Sequence, residues 1–182
     1  MVALNYQTPD QALLLNEGLF RSYNGGCGYV LKGSELQGLP AQRSHCKRLR
    51  LRICCGHRLP RPEAPSDEGI EAGGSFVQSP IVSSPLVVVG LEPGGQISQT
   101  RSVMHDGYHP IFNHEVDFAV PDAPFHILTF EVLDYPTSRP IARRAVSLDA
   151  VREGFRWLGL RSTLGNTVPH GGLLVYVEFR SS

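Results

Sequence analysis

The sequence predicts a mainly β protein, an eight-stranded antiparallel sandwich with a short segment of different character ahead of it. Three observations carry this. The stretch "KRLRLRICC" alternates strictly, with Leu49, Leu51 and Ile53 on one face and Arg48, Arg50 and Arg52 on the other, the period-two pattern of a half-buried strand. Seven further apolar stretches follow at short spacing, divided by turn residues. The 19 glycines and 14 prolines among 182 residues favour turns over long helices.

The elements follow in chain order. Val2 to Tyr6, in "VALNYQT", read as a buried strand that ends at a Pro9-Asp10 turn. "QALLLNEGLF" then brings Leu13, Leu14, Leu15, Leu19 and Phe20, an apolar surface that needs a partner. "NGGCGYVLK" leads to the end of this first unit at about residue 38, and 39–46, "LPAQRSHC", read as a linker. The second unit, residues 47–180, opens with "KRLRLRICC" and continues through "SPLVVVGL", "ISQTRSVM", "EVDFAV", "FHILTFEVLDY", "RRAVSLDAV", "FRWLGLRS" and "GGLLVYVEF". It is long enough for a core of its own. A Pro-, Gly- and acid-rich insertion at about 60–80 reads as a solvated spacer.

Composition narrows the function classes. Formal net charge is zero, so no global field draws the chain to nucleic acid or an anionic membrane, and the basic strand lacks the interleaved aromatics of a single-strand binder. The longest apolar runs fall far short of a bilayer span. The N-terminus shows no signal-peptide pattern, and Cys27, Cys46, Cys54 and Cys55 show neither CxxC nor framework spacing, which reads as reduced thiols in a cytoplasmic protein.

"VALNYQTPD", "NGGCGYVLK", "LRLRICCGHRLPRP", "TRSVMHDGYHPIFNHEVDFAV" and "LTFEVLDY", in this order, resemble the C-terminal part of eukaryotic phosphoinositide-specific phospholipase C. The resemblance implies that residues 1–38 are the last strand and closing segment of the Y-box half of a TIM-type barrel, and that 47–180 are a C2 domain. Enzymes of that family hydrolyse phosphatidylinositol 4,5-bisphosphate to diacylglycerol and inositol trisphosphate. Their histidine acid–base pair and calcium-holding carboxylates sit in the X half, with phosphate-reading side chains in the early Y half. None of those positions falls in this chain, so the resemblance implies no catalytic residue and no cofactor here, although the parent family uses calcium. One strand closes no barrel.

Two local patterns invite metal readings. In "HDGYHPIFNH", His105, His109 and His114 suggest zinc, but Asp106-Gly107 and Pro110 oppose the helix that would align them. The resemblance instead makes this a turn and strand start, with Tyr108 and Phe112 in aromatic packing positions. For the C2 calcium site, the resemblance puts Ser83, Asp134, Pro136 and Arg139 at or near positions where calcium-binding members carry carboxylates. Asp134 is the only retained candidate ligand, and the domain is expected to be calcium-independent, with Asp134 capping its loop.

Lys47, Arg48, Arg50 and Arg52 are the membrane-contact candidates, a positive stripe beside Arg58 and Arg61. The expected partners are the rest of a phospholipase barrel and an anionic phospholipid surface, at a peripheral membrane location. Two functional readings stay open: the end of a phosphoinositide phospholipase C, and a non-catalytic C2 module binding lipid or protein. Against the module stands the opening segment, which on its own would leave its leucines exposed.

Overall fold

The computed structural model describes residues 5, 6, 10–32, 48–61, 83–120, 123 and 125–181. One helix, α1 (Gln11–Arg21), precedes eight strands: β1 (Arg48–His57), β2 (Pro85–Glu92), β3 (Gln96–Gln99), β4 (Ile111–Ala119), β5 (Ile127–Asp134), β6 (Arg139–Ser147), β7 (Gly154–Arg161) and β8 (Thr167–Arg180). Most of the predicted insertion, the linker 39–46 and Lys47 lie outside the described residues.

All strand pairings are antiparallel, in the order β3-β2-β5-β6-β7-β8-β1-β4. β6 and β7 share a single rung, Arg143 opposite Arg161, so the array folds into two four-stranded layers. Leu49, Leu51 and Ile53 of β1, with Leu173, Val175 and Val177 of β8, face Val87, Val89, Leu128, Phe130 and Val132 of the other layer, all essentially inaccessible to water. Each such side chain contributes roughly 1.5–3 kcal/mol by leaving water. This layer holds the sheets together, because one rung of backbone bonding cannot.

Side chains close the opposite side. The Gln96 amide donates to the Ala119 carbonyl at 2.6 Å and accepts from the Ala119 amide at 2.9 Å, imitating a backbone rung between β3 and β4. Two residues along, Ser98 Oγ and His114 Nε2 lie 2.9 Å apart.

Several elements differ from the sequence reading. "ISQTRSVM" is a strand only to Gln99; beyond it, Thr100 and Val103 each give one backbone bond to β2 before the chain leaves as a loop. Tyr6 stands in a turn, 69% exposed, with its hydroxyl on Asn16 Oδ1, so it is not a buried strand residue. Val2 to Leu4 lie outside the described residues.

The larger correction is α1, since the leucines read as needing an outside partner find one in the chain. Asp10 is its N-cap rather than a simple turn residue, its Oδ1 accepting the Leu13 amide at 2.8 Å. Leu13, Leu14 and Gly18 are buried, and Leu14 packs with Ile127 of β5 and Ala145 of β6. Tyr23 Oη and Ser147 Oγ, 2.7 Å apart, fasten the segment after the helix to the end of β6.

Gly18 sets how closely the helix approaches. A Cβ there would stand 2.7 Å from Ile127 Cγ2 and 2.8 Å from Ala145 Cβ. Alanine would gain up to about 1 kcal/mol of helix propensity, whereas forcing a methyl into a packed contact costs about 1–3 kcal/mol. Gly18→Ala is therefore expected to lower stability by about 1 kcal/mol in urea denaturation, and adding Ala145→Gly to recover part of that loss. A stabilised single variant would show that the helix does not sit this close.

Candidate functional site

Three loops meet at one end of the sandwich: Ser83–Ser84 ahead of β2, 100–110 between β3 and β4, and 135–138 between β5 and β6. Asp134, only 6% exposed, ends β5 and binds the first loop, Oδ1 accepting the Ser84 amide at 2.8 Å. The Tyr135 amide donates to Ser84 O at 3.0 Å, and the Ser138 amide returns to Asp134 O at 2.7 Å. Ser84 Oγ accepts the His105 amide at 3.1 Å, which ties in the long loop. One carboxylate and one serine thus join all three loops.

This set does not suit a calcium ion, which takes six to eight oxygens from several carboxylates. Asp134 is committed to Ser84. Ser83 Oγ is buried without a hydrogen-bond partner, but Gly107 walls it in, since a Cβ at 107 would lie 2.5 Å away. Pro136 offers no side-chain oxygen, and Arg139 brings a positive charge. Among the described residues no cluster of three or more His, Cys, Asp or Glu side chains converges on a metal position.

The three histidines of the "HDGYHPIFNH" stretch go separate ways. His114 meets Ser98, the His105 amide meets Ser84, and His109 pairs with His57 at the end of β1. The His57 and His109 rings stack at 4.6 Å between centroids with their Nδ1 atoms 3.0 Å apart, one donating and the other accepting. Phe112 is a core residue, but Tyr108 is 55% exposed, so the packing role read for it holds only on the surface, against His57 and beneath Arg58. Sequence gave no signal for the histidine pair, whose members are 52 positions apart.

The arginine stripe lies on the outer face of the β7-β8-β1-β4 layer. Arg48, Arg50 and Arg52 stand opposite Ala119, Asp117 and Glu115 of β4 on one side, and Arg180, Glu178 and Tyr176 of β8 on the other. Glu115 accepts from Arg50 at 2.9 Å and from Arg52 Nε at 2.7 Å, and these hydrogen bonds, Arg52's foremost, hold its carboxyl below the usual range. The stripe is therefore interleaved with carboxylates rather than bare. Beside it β7 exposes Phe155 and Trp157, with Phe155 edge-on to Tyr176 at 5.1 Å.

Two outcomes follow from this geometry. Asp134→Ala, which leaves the buried Ser84 amide unpaired, is expected to cost about 1–3 kcal/mol in chemical denaturation, with no recovery on adding calcium. His57 should titrate below an ordinary histidine because of its desolvation first, then the positive charges of His109, Arg58 and His170. A depressed histidine pKa means the unfolded chain binds the extra proton more readily, so this contribution is present above about pH 6.5 and is lost on acidification through the folded-state value. Proton NMR titration of His57 is expected to give a midpoint below that of free histidine, moved upward by His109→Asn.

Comparison with known proteins matches residues 1–35 to "Phosphatidylinositol-specific phospholipase C, Y domain" and residues 47–154 to "C2 domain". The sandwich continues past the second match through β7 and β8. Human 1-phosphatidylinositol 4,5-bisphosphate phosphodiesterase eta-2 is 35% identical over 168 residues, covering 86% of this chain and 11% of that protein. Mouse inactive phospholipase C-like protein 2 is 28% identical over 194 residues, covering 97% of this chain and 16% of that protein. The crystal structure of S. officinalis PLC21 superposes with a TM-score of 0.70 at 20% identity, over 99% of this chain and 22% of that one, a likeness of fold. The chain spans 11% to 24% of the length of the first curated relatives it matches. With the C2 match over more than half its length and the Y-domain match ahead of it, the chain belongs to the phosphoinositide-specific phospholipase C family, as a C2 domain preceded by the closing segment of a Y domain.

Proposed function

We propose that this chain is the non-catalytic, C2-bearing end of a phosphoinositide phospholipase C, supporting a barrel that hydrolyses phosphatidylinositol 4,5-bisphosphate in intracellular signalling. The observation that carries the reading is the joint at α1. Residues matched to the Y domain bury Leu13, Leu14 and Gly18 on β5 and β6 of the C2 sandwich, so the two family segments form one packed unit. Such a joint fixes the sandwich to whatever barrel precedes it.

In this proposal the chain works as a cytoplasmic protein peripheral to membranes and needs no calcium, because the loop end is closed by Asp134 and Ser84 instead of a cation. Contact with anionic phospholipid falls to the outer face of β7-β8-β1-β4, where Arg48, Arg50 and Arg52 lie beside Phe155 and Trp157. Arginines reach lipid phosphates while aromatic rings settle at the headgroup level. Among the described residues no helix is long and apolar enough to cross a membrane.

A second reading, a C2 module acting without a barrel, gains one specific support. Leu14 of α1 is already buried against Ile127 and Ala145, with Leu15 and Leu19 partly buried beside it, so these leucines find a partner within the chain.

The test uses the purified chain. It is expected to release no inositol trisphosphate from phosphatidylinositol bisphosphate vesicles. It should bind phosphatidylserine vesicles equally with calcium or with chelator, and neutralising Arg50 and Arg52 to glutamine should weaken binding about thirtyfold, at about 1 kcal/mol per cation. Hydrolysis, calcium-dependent binding, or indifference to the double substitution would each overturn its part of the reading.

A further inference from the structure

On the side of the sandwich where β6 and β7 share only their one rung, the layers splay and leave a cavity of about 300 Å³. The last turn of α1 and the 150–152 segment wall it, and Arg21, Ser22, Arg144, Arg152, Arg156 and Trp157 line it. Four arginines thus line one small volume. They come from a helix end, two strands and a turn.

Their own partners do not neutralise them. Arg144 Nε is buried with no hydrogen-bond partner, and so are Nε and Nη2 of Arg143, its neighbour on β6. Glu17 approaches Arg21 at 3.8 Å and Arg143 at 3.9 Å, the outer limit of an ion pair, so a single carboxylate is divided between two cations. Glu153, close to the wall, gives its carboxylate to the Phe179 amide at 2.8 Å. Arg156 is held still by the backbone carbonyls of Arg152 at 2.8 Å, Phe155 at 2.8 Å, and Glu153, which fix its fork without cancelling its charge.

Arginine does not shed its proton in proteins, so a buried and unpaired guanidinium is a standing cost unless an anion meets it. Burial, then the nearby Arg161 cation, pushes the Arg144 pKa down, with Arg21 acting in the same sense and Glu17 opposing. Several planar forks set around one volume suit an anion with many oxygens and more than one negative charge. A monocarboxylate would neutralise one of them. A phosphate group has the oxygens and the charge for more than one of them.

We propose that this cleft between α1, β6 and β7 is a phosphate-binding site, taking a phosphomonoester or diphosphate group, either free in solution or on a lipid headgroup. It is separate from the three-loop end and from the outer-face arginines.

Calorimetry of the purified chain with inorganic pyrophosphate is expected to show one saturable site, with a matching rise in melting temperature. Arg144→Met and Arg152→Gln should each weaken it about tenfold or more, the loss expected for a charge-assisted hydrogen bond. Without added anion, Arg144→Met should melt at or above the parent temperature, because it removes a half-buried charge whose Nε has no hydrogen-bond partner. The source is read from vesicles of phosphatidylcholine with phosphatidic acid: binding lost in Arg144→Met but kept in Arg50→Gln/Arg52→Gln assigns a lipid headgroup, and pyrophosphate binding without it assigns a free ligand. Absence of saturable pyrophosphate binding, or binding indifferent to both Arg144→Met and Arg152→Gln, overturns the proposal. So does succinate binding as tightly as pyrophosphate, which would assign the cleft to an acidic side chain of another polypeptide segment.

Discussion

The apolar layer between the two sheets is what the rest of the molecule depends on. Backbone hydrogen bonds run freely within each sheet but cross between them at one rung, Arg143 to Arg161. Leu49, Leu51, Ile53, Val175 and Val177 pressing on Val87, Val89, Phe130 and Val132 therefore supply nearly all the cohesion between the layers. Because that cohesion is non-directional, the sheets are free to diverge where side-chain volume allows it. At the β6–β7 side they do, and the divergence opens the arginine-lined cleft beside the seat of α1.

The loop end solves a different problem. Three loops must be held near one another, and side-chain contacts to main-chain amides hold them. Asp134 and Ser84 do this with hydrogen bonds of 2.8 and 3.1 Å to main-chain amides. Each contact pairs a side-chain oxygen with a main-chain amide that would otherwise lack a partner at the loop end.

What could be read from the sequence follows from where each signal is stored. The period-two pattern of β1 is local, and it places Leu49, Leu51 and Ile53 inward correctly. Helix α1 was missed because its buried face is short, Leu13, Leu14 and Gly18, and the closest contact is made by a residue without a side chain. Hydropathy counts no glycine as a packing residue. The carboxylates that offset the arginine stripe were hidden for another reason: Glu115 is 63 residues from Arg52, and only the β1–β4 register makes them neighbours. The cleft arginines, spread from 21 to 156, are hidden in the same way.

The Gln96 bridge has a consequence beyond holding β3 to β4. A free sheet edge is a row of amides and carbonyls on which another chain can lay a strand. Here the two free edges face each other, Gln96 occupies the donor and acceptor of Ala119, and the Ser98 and His114 side chains meet further along. At that position a side-chain amide takes the place an added strand would use. A four-residue edge strand, too short to recruit a neighbour itself, becomes the cover for the longer one it faces.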